Sequence, residues 1–318
     1  MSSAPEVAAA LPLLNDADPA VRRLSLLQIA EFADEYPHLF IAASHDPDAA
    51  VRLEAARALE GNASPAALTA LAALLDDSDA EVAAAAGASL AEVRDATAAP
   101  ILLSLLAQRQ DEKSAPMLAA LRGLRHPGVF APALALLEHA SPAVRREAVG
   151  ALAWLRDASA LPALAQRLTG DPDPAVRRAA AGSLSFAATP GAVLPALSRA
   201  LADTDWQVRE EAILTLEKLS WSSTAAILLG ALDNDPAWEV RLKAARALGR
   251  LRVAAAIPAL VAALAHPVGN LRKEAATALG AIGHADARQA LQTAARQDAD
   301  IDVRKAASRA LEALGKSA

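Results

Sequence analysis

The chain has 318 residues, no cysteine and a formal net charge of −6, and it is 54% hydrophobic but only 3% aromatic. Disulfides, thiolate nucleophiles and cysteine-ligated metal centres are thereby excluded, and the acidic balance argues against a general attraction to nucleic acid or anionic lipid. Ala and Leu supply most of the apolar side chains, which favours helices. Met1 to Leu14 carry no basic leader, and nowhere do 18 uncharged apolar residues run together, so a cytoplasmic protein without membrane spans is expected.

Along the chain one apolar anchor returns at Val21, Val51, Val82, Val144, Val176, Val208, Val240, Leu271 and Val303. The spacings are 30, 31, 62, 32, 32, 32, 31 and 32 residues, so the 62 hides a degenerate copy near Lys113. A fixed period of this size marks stacked supersecondary units. Apolar residues four and eight places after the anchor, as in Val144, Ala148 and Leu152, trace one face of a helix, called B. Three residues before the anchor stands an N-cap: Asp18, Asp48, Asp79, Ser141, Asp173, Asp205 or Asp300. Pro19, Pro142 and Pro174 then take the first helical position, where a missing N–H costs nothing.

A shorter helix A precedes each B helix, read from Leu161, Pro162, Ala163, Leu164 and Leu168 and again from Ile257 to Leu264. The expected hairpins cover approximately 4–34, 36–61, 65–93, 97–125, 128–156, 158–188, 190–220, 222–252, 254–283 and 286–315, within a single domain of 1–318. One hairpin cannot bury its apolar face alone, so neighbours must stack, and ten units give a curved rod of roughly 100 Å. The copy between Arg94 and Pro127 fits the pattern worst.

The phrase from Asp173 to Leu184, with its relatives at Ala237 to Leu251 and Gly269 to Ile282, resembles the HEAT-like repeats of the phycobilin-lyase type. The resemblance implies an all-α, right-handed α-solenoid of about ten hairpins. It does not choose a function, because that family includes adaptors, assembly factors, chromophore lyases and metal-dependent hydroxylases.

Two charged rows follow the repeat. Five residues before the anchor stands Asp16, Asp46, Asp77, Asp171, Asp203, Asp235 or Asp298, and directly after it Arg22, Arg52, Arg145, Arg177, Arg209, Arg241, Arg272 or Arg304, with Ala83 as a break. The carboxylates suit either a divalent-metal edge or turn closure, and the arginines either a phosphate track or bridges to the Asp-rich turns. A structural ladder is the favoured reading, with Asp173, Arg177, Asp205, Arg209, Arg241, Asp300 and Arg304 as its members.

Hydroxylases of deoxyhypusine with this kind of repeat place His and Glu side by side early in helix B. Here those positions read Leu53 with Glu54, Arg146 with Glu147, Glu210 with Glu211 and Lys273 with Glu274. Every His is missing there, so the glutamates read as solvated helix surface, and no metal site or cofactor is expected. Glycine-rich phosphate loops, nucleophile elbows and zincin helices are also missing. An enzyme is therefore not the favoured reading.

In HEAT-type stacks the B helices line the concave side, and positions two, six, nine and thirteen after the anchor point away from the core. They include Arg23, Arg57, Arg146, Arg178, Arg246, Lys273, Lys305 and Arg309 against Glu60, Glu210, Glu217 and Glu312, a mildly basic face. Trp154 and Phe186 lie ten residues after their anchors and Gly150 and Gly182 six after, which suggests a shallow aromatic-walled depression rimmed by Arg146 and Arg178. Trp206 and Trp238 match each other two residues before their anchors. The expected function is a monomeric, non-enzymatic scaffold or assembly factor holding a protein on the concave face. A bilin chromophore lyase subunit and a DNA-binding repeat protein are the alternatives, the latter disfavoured for lack of a broadly basic groove.

Overall fold

The computed structural model describes residues 4–109, 111–221 and 223–316. Among them the chain forms twenty α-helices, short 3₁₀ turns and no strand. Two compact units result, Met1–Arg156 and Asp157–Ala318, each holding five hairpins. The first contains α1 (Pro5–Ala10) with α2 (Pro19–Gln28), α3 (Pro37–Ala43) with α4 (Ala49–Ala58), α5 (Pro65–Leu74) with α6 (Ala80–Ala91), α7 (Ala99–Ala107) with α8 (Ser114–Leu124), and α9 (Phe130–Leu136) with α10 (Pro142–Leu155). The second contains α11 (Leu161–Gly170) with α12 (Pro174–Ser183), α13 (Val193–Ala200) with α14 (Trp206–Leu219), α15 (Thr224–Asn234) with α16 (Trp238–Arg250), α17 (Ile257–Ala263) with α18 (Gly269–Ile282), and α19 (Arg288–Gln297) with α20 (Ile301–Lys316). Odd-numbered helices are the A helices and even-numbered ones the B helices. The fold class is an α-solenoid.

The period explains the packing. The anchors from Val51 to Val303 are buried, while Val21, in the hairpin with the short α1, is half-buried. Four residues on stand the fully buried Ala55, Ala148, Ala180, Ala212, Ala244 and Ala275, followed one turn later by leucines such as Leu152, Leu216 and Leu248. Each buried Leu contributes about 1.5–3 kcal/mol by leaving water, and the small Ala beside it lets the helices close. Within each unit, B helices pack on B helices: α2 on α4, α4 on α6, α6 on α8, α8 on α10, and α12 through α20 likewise. The closest approaches need glycine, since a Cβ on Gly249 would stand 2.7 Å from that of Ala278.

Capping follows the Asp pattern. Asp48, Asp79, Asp173 and Asp205 each accept backbone N–H groups from the first turn of their B helix, and Asp300 accepts from the N–H of Asp302 at 2.8 Å. Ser141 departs from expectation: it occupies the cap position but its hydroxyl makes no capping bond. Its own N–H instead donates to Nδ1 of His139 at 3.0 Å.

Candidate partner-binding site

The Arg row and the Asp row meet along the turns. The Nε and Nη2 of Arg22 donate to both carboxylate oxygens of Asp46, 24 residues on, at 2.7 and 2.6 Å. Arg52 binds Asp77 in the same fork at 2.6 and 2.8 Å. In the second unit Arg177 binds Asp203, Arg209 binds Asp235 and Arg272 binds Asp298, all within 2.7–2.9 Å. The remaining Nη1 donates to carbonyls of the arginine's own turn, as Arg209 does to Asp203 O at 2.9 Å. Each such carboxylate also takes the N–H two residues on, as Asp203 does from Asp205 at 2.9 Å.

The carboxylates in these five forks are thus Asp46, Asp77, Asp203, Asp235 and Asp298. Of the residues expected in the ladder, Asp173, Asp205 and Asp300 cap helices instead of meeting a guanidinium. Arg241 and Arg304 find carbonyls: Arg241 Nε donates to Leu232 O at 2.8 Å, and Arg304 Nη1 to Asp298 O at 2.6 Å. The paired guanidinium, acting through its hydrogen bond, holds the carboxyls of Asp46, Asp77 and Asp298 below their ordinary range. At Asp203 burial pushes the carboxyl up, but the Arg177 bond and the Asp205 N–H outweigh it and the net direction is down.

A second set of pairs, not anticipated from the sequence, crosses the B helices. Arg23 donates to Glu54 at 2.8 Å, Arg122 to Glu147 at 2.8 Å and Arg246 to Glu274 at 2.9 Å. Lys243 stands 3.2 Å from Glu210, and Arg250 2.8 Å from Glu217 Oε1, an ionic contact without linear hydrogen-bond geometry. The glutamates are therefore not solvated surface: Glu54 is only 7% exposed and Glu217 9%. Cations from the adjacent B helix cover them. The signal was available, because Glu54, Glu147 and Glu274 all stand three residues after their anchors.

The expected binding residues fall in both units, Arg146, Gly150 and Trp154 in the first and the others in the second. Trp154 is 49% exposed near the end of α10. The guanidinium carbon of Arg125 lies 4.3 Å from its ring centroid, a cation–π contact. Arg125 reaches this place because it ends α8 in the left-handed region at φ 52°. Gly150 leaves no hollow: a Cβ there would meet Nη1 of Arg122 at 2.8 Å. The glycine is a seat for a cation, and the expected depression is filled by it. Arg146 is exposed, with its guanidinium 3.9 Å from Glu147.

In the second unit the space at Gly182 is likewise taken, by Oε1 of Glu211 at 2.8 Å from a built Cβ. Phe186 is half-buried in the 3₁₀ turn after α12, and Arg178 is exposed. Trp206 is 39% exposed at the start of α14, and Trp238 is half-buried at the start of α16. His139 and His266 stand five residues before Val144 and Leu271, in the place of the turn aspartate. Each accepts the N–H two residues on through Nδ1. Burial, and then the nearby Arg241 and Arg272, hold the His266 imidazole below its ordinary range. Among the described residues no three His, Asp or Glu side chains gather as a metal-binding group, and no helix is long and apolar enough to cross a membrane.

A family model described as HEAT repeats matches residues 36–121, 113–185, 162–242 and 225–312. Among solved structures, an engineered protein is 24% identical with a TM-score of 0.52, covering 98% of this chain and 99% of that one. The Kap95:Nup1 complex is 16% identical with a TM-score of 0.63, covering 99% of this chain and 51% of that one. A Kap121p mutant is 15% identical with a TM-score of 0.72, covering 99% and 42%. These likenesses concern fold, and the chain spans about half or less of the two natural neighbours. No curated protein matches the chain. The narrower phycobilin-lyase type is not among these findings.

Proposed function

The chain belongs to the HEAT-repeat family, and from that premise we propose that it is a non-catalytic scaffold holding a protein partner on its B-helix face, the concave side of such a stack. The observation that carries this reading is Trp154, half-exposed and held by the Arg125 guanidinium. Leaving a large aromatic in water forgoes burial worth about 1.5–3 kcal/mol, and Trp and Arg are both among the residue types enriched at binding hot spots.

Arg125 lies on Trp154, while Arg122, seated on Gly150, and Arg146 stand around Glu147 further along α10. In the second unit Arg178, Gly182, Phe186, Trp206 and Trp238 supply a separate set of contacts. The partner is an acidic segment with an apolar anchor, and the chain acts as a monomer. A fold neighbour solved with a protein bound, Kap95 with Nup1, supports a binding role in general terms.

Photo-crosslinking tests this. A benzophenone side chain at Trp154 should capture one defined protein in native extract, competed by unlabelled protein but not by its Trp154→Ala variant. The same group at Ser104, exposed on α7, should not capture it. Equal capture from both positions, or no competition, would refute the reading.

A further inference from the structure

Ion pairs cross the B face at α2–α4, α8–α10, α14–α16 and α16–α18, and among the described residues none crosses it at α18–α20. Between α18 and α20 the two backbones come so close that a Cβ on Gly280 would meet that of Ala310 at 2.7 Å. Above this floor lies a groove of about 360 Å³ whose lining includes Lys273, Lys305, Arg309 and Asp302. The three cations are exposed. None forms an ion pair with any described residue, Asp302 included. The hydroxyl of Thr277, also in the lining, is spent on the Lys273 carbonyl at 2.9 Å.

The missing partner can be identified by register. Lys273 stands two residues after its anchor, as Arg23 does, and Arg23 pairs with Glu54, three residues after the next anchor. Arg246 of α16 meets Glu274, again three after the anchor. At the α18–α20 junction that position is Ala306, which lines the groove and is 8% exposed. The carboxylate that pairs across α2–α4, α8–α10 and α16–α18, Glu54, Glu147 or Glu274, is here a methyl group, and the space above it is open.

We infer that the α18–α20 groove is a carboxylate-binding subsite that takes an acidic segment of a protein partner. The incoming Glu or Asp stands where Glu54, Glu147 and Glu274 stand at their junctions, between Lys273, Lys305 and Arg309. Charge complementarity selects an acidic peptide: the lining carries three cations to one anion and no aromatic side chain on which a base would stack. The inference rests on the proposed protein-binding role but concerns α18 and α20 alone, so each can fail without the other.

The probe is fluorescein-labelled hexaglutamate, followed by fluorescence anisotropy at low salt with the full chain. Lys305→Ala with Arg309→Ala should weaken binding at least about tenfold, and both positions are exposed, so the fold should persist. Ala306→Glu should weaken binding comparably by supplying the carboxylate from within, and its melting curve should show it folded. Trp154→Ala should leave hexaglutamate binding unchanged. No measurable binding, equal binding by the Lys305/Arg309 variant, or an oligonucleotide of equal charge bound more tightly through the same residues would overturn the subsite. Capture from position 154 would in those cases leave the scaffold reading standing.

Discussion

Along the turns joining α11 to α12, α13 to α14 and α15 to α16, an arginine directly after the anchor forks onto the next such turn's aspartate, as Arg177 does to Asp203 and Arg209 to Asp235. Around the fourth hairpin, α7 and α8, the same positions read Ala83 and Gln108, then Ser114 and His139. Both partners are replaced together. The link to the third hairpin is rebuilt in reverse: Arg109, from the turn after α7, reaches back to the Asp76 carboxylate and to Ala72 O at 3.0 Å. Ser114 takes the place of a ladder arginine, and its buried hydroxyl finds no partner. At α16 to α18 only the carboxylate is replaced, by His266, and Arg241 settles on a carbonyl. The Arg and the Asp thus act as one unit spread over two repeats.

Removing one half of a complete unit should therefore have the largest effect. Arg209→Ala strands Asp235, 5% exposed at the side chain, along with two turn carbonyls. Breaking a fully buried pair costs about 3–5 kcal/mol; with the edge of this one near water, about 2–3 kcal/mol is expected. Urea denaturation measures it. A loss under about 0.5 kcal/mol would show the fork to be ornamental.

Acid should reach the same pairs. The carboxyls of Asp46, Asp77 and Asp298 are held below their ordinary range first by the arginine bond. A depressed folded value means that the stabilisation is complete above the unfolded value, about 3.9, and disappears as pH falls through the folded one. The melting temperature should be level through neutral pH and drop below about pH 4. Asp77→Asn should be less stable at neutral pH and converge on wild type in acid. Parallel curves would place the acid sensitivity elsewhere.

Much of this was legible in the chain. The period, the Asp caps and the two charged rows are single-position signals repeated six to nine times, so each copy corroborates the others. Partner choice was less legible, because the arginine bonds an aspartate 24–26 residues away while another Asp, the cap, lies nearer in sequence. Gly150 read as a gap because its occupant, Arg122, comes from the preceding repeat. The glutamates read as surface for the same reason: Glu54 is hidden by Arg23, 31 residues earlier. Arg125 was opaque too. Its left-handed position is held by Gly283 in the ninth hairpin, and only the backbone reveals that an arginine takes it in the fourth.

Repairing the unit where half survives should give a smaller change of opposite sign. His266→Asp places a carboxylate where Arg241 lacks one, and the N–H of Val268 that His266 now accepts can bond it as well. A gain of about 1 kcal/mol is expected, the scale of one charge-assisted bond less the cost of reorienting the arginine. An unchanged denaturation midpoint would mean that the Leu232 carbonyl serves Arg241 equally well.

The smallest effect belongs to the fourth hairpin. Ser114 is fully buried and its Oγ has no partner, whereas the neighbouring Met117, Leu118 and Leu121 are fully buried and apolar. An unsatisfied buried hydroxyl costs about 1–3 kcal/mol, and its removal leaves only a small void, so Ser114→Ala should stabilise by up to about 1 kcal/mol. Because a repeat's stability depends on its nearest-neighbour interfaces, the gain should appear locally. Hydrogen exchange should slow in α8 and the turn before it, while α14 and α16 stay as they were. In the unaltered chain the amides of Arg94 to Pro127 should exchange faster than those of α14, where the Arg forks hold the turns on both sides. If α8 were protected as well as α14 before the substitution and unaltered after it, the lost Arg–Asp unit would not be what weakens this hairpin.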